Sequence, residues 1–146
     1  MQWLLLTFAA CTGVLNTIQA GSNTTLNKVS GTPFWSAVVV FAVALCATTV
    51  AAVVSGQRFP AGAVNQVPWW AWIGGCFGAL YILSMMMVAN KVGAAVFMAV
   101  TVTAAIITSL ALDHFGLMGF EQHRAGLGRI AGGLAIIAGL GLIVRF

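Results

Sequence analysis

The sequence predicts an all-α integral membrane protein with five transmembrane helices, and three observations carry that prediction. Charged residues make up only 5% of the chain against 61% apolar residues, whereas a soluble domain needs roughly 25% charge to keep its surface solvated. The six basic and two acidic residues leave five charge-free stretches, at 1–27, 29–57, 59–90, 92–112 and 130–144. A bilayer core of about 30 Å needs roughly 20 helical residues. Four of the stretches reach that length outright, and the fifth does so if Arg129 lays its aliphatic stem in lipid and its head among the headgroups. Finally, the stretches are continuously apolar. Only helices and closed barrels satisfy every backbone group in lipid, and barrel strands would alternate polar and apolar residues over about ten positions. Residues 38–54 show no such alternation.

With 146 residues the chain is expected to form a single transmembrane domain, 1–146. Span 1 is expected at about 2–21, with a continuation toward Asn27. Its start lacks the basic region of a cleavable signal, and Phe8-Ala9-Ala10-Cys11 is a poor lipobox, so it reads as a retained helix. Span 2, about 34–55, follows Pro33, a good first-turn residue. Span 3, about 69–89, follows Pro68. A short link at Asn90–Lys91 leads to span 4, about 93–112. The loop 113–126 holds both carboxylates and both histidines, and span 5 covers about 127–144. Trp3, Trp35, Trp69, Trp70 and Trp72 fall near the starts of spans 1 to 3, which lie alternately on opposite membrane faces, as interfacial aromatic belts require.

The charge distribution excludes some functions. A net charge of +4, dispersed along the chain, supplies no basic stripe for nucleic acid. Cys11, Cys46 and Cys76 are single and widely spaced inside apolar runs, without metal or redox spacing, and read as small apolar side chains. No zinc-protease motif, nucleophile elbow or glycine-rich phosphate loop is present. No enzyme, metal or cofactor is therefore expected. Topology is balanced: Lys28, Lys91 and Arg145 would face one side and Arg58, Arg124 and Arg129 the other, so the positive-inside rule assigns almost no orientation. Either another determinant fixes one orientation, or the chain inserts both ways and dimerises antiparallel.

Thr12, Asn16, Gln19, Asn23 and Asn27 recur at steps of four, three, four and four. At 100° per residue they share an arc of about 80° on one helix face. A carboxamide facing lipid leaves donors and an acceptor unpaired, so the stripe must face protein or a wet cavity: it is either interhelical glue or the wall of a substrate site. Tyr81, whose hydroxyl lies within span 3, and Trp72 join Asn16, Gln19 and Asn23 as candidate substrate contacts. Gly74, Gly75 and Gly78 open span 3, and Gly128 and Gly132, with Ala135 and Gly139 beyond, make small-residue pairs that let helices approach. Gly128, Gly132 and Gly139 are the candidate dimer-packing residues. Asp113 and His114 end span 4. They are a candidate coupling pair, as intramembrane acids are in proton-coupled transporters, or structural, with Asp113 capping the next turn. No carboxylate lies within any span, so coupling through a mid-membrane acid is not available.

These residues also carry a resemblance. Ser-Leu-Ala-Leu-Asp-His-Phe-Gly-Leu at 109–117 resembles the fourth-helix signature of short bacterial inner-membrane proteins of the drug/metabolite transporter superfamily, relatives of the small multidrug resistance transporters. Gly-Gly-Cys-Phe-Gly-Ala-Leu-Tyr at 74–81 is similar to that family's third-helix motif. Gln19, Asn23, Leu26 and Gly31 match its first helix, and Arg129 and Gly132 the start of its last. The resemblance covers essentially the whole chain, with departures at Ala105, where the family usually has glutamine, and Asn90, where it often has proline. It implies a five-helix half-transporter. An odd helix count makes a second copy naturally inverted, so an unfused half pairs with another chain around a midplane site.

The expected function is small-molecule transport across the bacterial inner membrane by an antiparallel homodimer in the lipid bilayer. Without buried acids, the expected cargo is neutral, zwitterionic or anionic rather than a permanent cation. The alternative is a non-transporting membrane subunit that assembles with or regulates another membrane protein.

Overall fold

The computed structural model describes residues 2–58 and 61–146. In chain order these form α1 (Gln2–Ser30), α2 (Pro33–Val54), the single turns α3 (Ala61–Val64) and α4 (Trp69–Trp72), then α5 (Gly74–Val92), α6 (Ala94–Phe115) and α7 (Leu127–Arg145). No strand occurs among the described residues. Five membrane-length apolar helices result, because α4 and α5 together form one 24-residue apolar stretch, Trp69–Val92. All five expected spans are present, and four of them agree with the expected limits to within three residues. The exception is α1, which continues to Ser30 and reaches 29 residues. At 1.5 Å per residue that is about 43 Å, longer than the hydrocarbon core. Large apolar side chains are exposed along every span, among them Leu4, Val43, Leu80, Val102 and Leu134, as helices solvated by lipid tails require.

The chain divides into two compact units, 1–90 and 91–146. In the first, α1 packs on α2. Gly31, at φ +67°, ends α1 in the left-handed region that glycine enters without a Cβ penalty, and its N–H caps the Asn27 carbonyl at 2.9 Å. Pro33 then starts α2, so a two-residue link turns the chain back on itself. Ser36 is buried and its hydroxyl bonds that of Ser30, tying the end of α1 to the start of α2. On α5, Ile82, Met85, Met86 and Ala89 are buried, the spacing of one packed helix face.

In the second unit, α6 packs on α7. The close approach is at Gly133, where an added Cβ would stand 3.3 Å from Leu110 Cδ1. The loop between these helices folds back over the end of α6. Gly116, at φ +62°, terminates the helix, and the N–H of Leu117 returns to the Leu112 carbonyl at 3.1 Å. The His123 N–H bonds the Asp113 carbonyl at 2.8 Å, and Gln122 Nε2 donates to the His114 carbonyl at 3.0 Å. The carbonyls that a helix end leaves without partners are thus supplied by one loop.

Candidate functional site

A groove of about 330 Å³ runs between α1 and α2 in the first unit. Gln19, Ser22, Asn23 and Leu26 line one wall, and Val39, Val40, Val43, Ala44 and Ala47 the other. The polar wall follows from the repeat in span 1. On a helical wheel the five stripe residues occupy about 80°, and Ser22 and Leu26 flank them on one side. The groove therefore takes one edge of the stripe, which is why Gln19 and Asn23 line it.

The other edge has a different task. Asn27 Nδ2 donates to the Met86 carbonyl at 3.2 Å, joining α1 to α5, and Asn90 Nδ2 reaches the same carbonyl at 3.2 Å from within α5. Asn27 is thus interhelical glue. Thr12 is exposed and donates back to the Ala9 carbonyl at 2.7 Å, a bond that serves its own helix. Asn16 is half-buried and lies outside the groove lining.

Asn23 is the unusual member of the stripe. It is 5% exposed, yet its Nδ2 has no hydrogen-bond partner within the chain, and neither has Asn27 Oδ1 one turn later. Among the described residues these are the buried side-chain atoms left unsatisfied. Leaving a buried donor unmade costs about 1–3 kcal/mol, so the orphaned amide marks a place where the fold alone does not complete its hydrogen bonding.

Of the other expected contacts, Tyr81 is half-buried on α5 and Trp72, at the end of α4, is 58% exposed. Neither lines the α1–α2 groove. Ser22 and the α2 wall are not singled out by the sequence, and Leu26 enters there only through the family resemblance. The signal for Ser22 was present, a hydroxyl beside the polar arc, but the valines and alanines of α2 are indistinguishable from lipid-facing residues until α1 is placed against them.

The second unit has a smaller groove, about 260 Å³, lined by Val102, Ala105, Ile106, Ser109, Leu110, Asp113 and Arg129. Arg129 Nη1 lies 3.5 Å from Asp113 Oδ2 and donates to the His123 carbonyl at 3.3 Å. Of the readings for Asp113, the structure shows an ion pair between helices: α6 runs three residues past the expected limit, which puts Asp113 and His114 in its last turn. His114 Nδ1 accepts the Ala125 N–H at 3.1 Å. Both residues are occupied in holding the loop to the helix end. Gly128, Gly132 and Gly139 have nothing within 4 Å of an added Cβ. The glycine that meets α6 within the chain is Gly133.

Comparison with known proteins agrees with this architecture. A family model described as "Putative inner membrane exporter, YdcZ" matches residues 4–142. The inner membrane protein YdcZ of Escherichia coli (strain K12) is 34% identical over 82 residues, covering 56% of this chain and 54% of that protein, so the match spans about half the length of this relative. No solved structure matches. With five membrane-length helices and a family match that runs through all of them, the chain belongs to the YdcZ family of bacterial drug/metabolite-transporter-type proteins and is a multi-pass protein of the inner membrane.

Proposed function

We propose that this protein is a small-molecule transporter, working as an exporter, and that the α1–α2 groove is where it holds its solute. The observation that carries the reading is the buried, unpartnered Asn23 amide on the wall of a groove in a chain of the exporter family. Gln19, Ser22 and Asn23 offer the hydrogen bonds, and the α2 wall offers apolar contact, the mix typical of small-molecule sites. A single chain supplies one half of an alternating-access device, and an antiparallel pair of copies supplies both. Two features support pairing. The basic residues balance across the two faces, permitting insertion either way. Gly128 and Gly132 lie exposed on α7 with open space beyond them, suited to close helix contact with a second copy.

Purified protein in liposomes, challenged with a panel of labelled solutes, tests the reading. The expected result is saturable flux that Gln19→Ala and Asn23→Ala each reduce. Flux unchanged by both substitutions removes the groove from the mechanism. Absence of any flux, with co-purification of another membrane protein, replaces transport by the subunit reading. Cysteine labelling of both termini in whole cells tests the pairing: each terminus must react from both sides of the membrane, and labelling from one side only removes the antiparallel homodimer.

A further inference from the structure

We infer that the α1–α2 groove selects uncharged, apolar-bodied solutes bearing a hydrogen-bond acceptor, such as a hydroxyl or a primary amide. The inference rests on the groove being the solute site and names what that site prefers.

The unmet hydrogen bonds set the polar requirement. Asn23 Nδ2 is a donor without an acceptor, and Asn27 Oδ1 an acceptor without a donor. Asn27 does not line the groove, and its Nδ2 is held by the Met86 carbonyl on α5. The demand within the groove is therefore for one acceptor at Asn23. A hydroxyl or a primary amide meets it, and an ammonium, which has no acceptor, does not.

Charge is disfavoured by the rest of the groove as well. No lining residue is ionisable, so an ion entering it loses water and gains no counter-charge. The α2 wall of Val39, Val40, Val43, Ala44 and Ala47 fits an apolar body. The groove, at about 330 Å³, is roughly twice the ~150 Å³ that admits benzene in an apolar cavity.

Four probes sharing one ring separate the possibilities: benzyl alcohol, benzamide, benzylammonium and benzoate. Each is titrated against the protein in nanodiscs with ¹⁵N-labelled asparagine and glutamine, and the side-chain amide signals of Gln19, Asn23 and Asn27 are followed. Saturable movement of the Gln19 and Asn23 signals is expected with benzyl alcohol and benzamide, and binding at least about tenfold weaker with the charged pair. In Asn23→Leu the response of Gln19 to the neutral probes should fall by a similar factor. Equal binding of a charged probe overturns the inference, as do neutral probes that leave Asn23 unmoved. Solute flux measured on the same preparation separates the two claims. Flux with equal binding of benzylammonium discards the solute class and keeps the transporter. Neutral-selective binding without flux keeps the solute class and discards transport.

Discussion

The two hairpins of this chain, α1–α2 and α6–α7, are built from similar materials and arrive at different ends. Each joins two membrane-length helices and encloses a groove, about 330 Å³ in the first and about 260 Å³ in the second. In α6–α7 the polar groups at the end of α6 are engaged. Asp113 faces Arg129, His114 holds Ala125, and the last carbonyls of α6 are capped by the following loop. Its groove is otherwise lined by aliphatic side chains and Ser109, with Ala105 where the family resemblance expects glutamine. In α1–α2 the groove carries no charge, and the amide of Asn23 is buried without a partner. One hairpin satisfies its own chemistry and the other leaves some of it open. In the proposed function, the solute meets that open requirement.

The comparison can be broken first at its packing. Gly133→Leu should destabilise the protein in detergent most of all, by about 1–3 kcal/mol and read as a lower midpoint of thermal unfolding, because the new side chain meets Leu110 in a filled contact. Gly132→Leu, one position earlier with open space around it, should leave that midpoint in place and act on self-association, read by crosslinking. Next comes Asn23→Leu. It should cut solute flux about tenfold, the equivalent of roughly 1.4 kcal/mol. Unfolding should be unchanged or slightly delayed, since a buried orphan donor has been removed. Asn27→Ala sharpens the contrast by losing stability of about 0.6–2 kcal/mol with its bond to the Met86 carbonyl. If Asn23→Leu destabilises as much as Asn27→Ala, Asn23 is glue as well and the distinction within the stripe fails. The smallest effect belongs to Asp113→Asn. The ion pair is long and its side chains are 44% and 32% exposed, so the loss should be about 0–1 kcal/mol, with flux little altered.

Much of the fold was legible in the sequence because lipid imposes a simple rule: runs without charge and long enough to span. The Trp and Pro residues marked the starts of the spans, and agreement at four of the five was close. Helix ends were less visible where polar residues continue a helix. The sequence places span 1 at about 2–21 with a continuation toward Asn27, and α1 runs on to Ser30, where Asn27 is engaged by Met86 and Ser30 by Ser36. Asp113 ended span 4 on the sequence because a carboxylate looks like a boundary. Arg129, sixteen residues on, lets the helix run past it. In the sequence the polar stripe is one surface, and only tertiary contact shows that it serves two neighbours, α2 and α5. Small-residue spacing singles out Gly128, Gly132 and Gly139 for packing against a second copy; the glycine packed within the chain against α6, Gly133, is not distinguished by that spacing.

The most direct measurement fills each groove in turn from its apolar side. Ala44→Trp blocks the α1–α2 groove without touching any polar group, and Ala105→Trp does the same to the α6–α7 groove. With both proteins folded in liposomes, Ala44→Trp should lower solute flux at least about tenfold, as overpacking an occupied site does, while Ala105→Trp should leave it within about twofold of the unsubstituted protein. Flux that survives Ala44→Trp and is lost in Ala105→Trp would place the solute in the other hairpin and contradict the account.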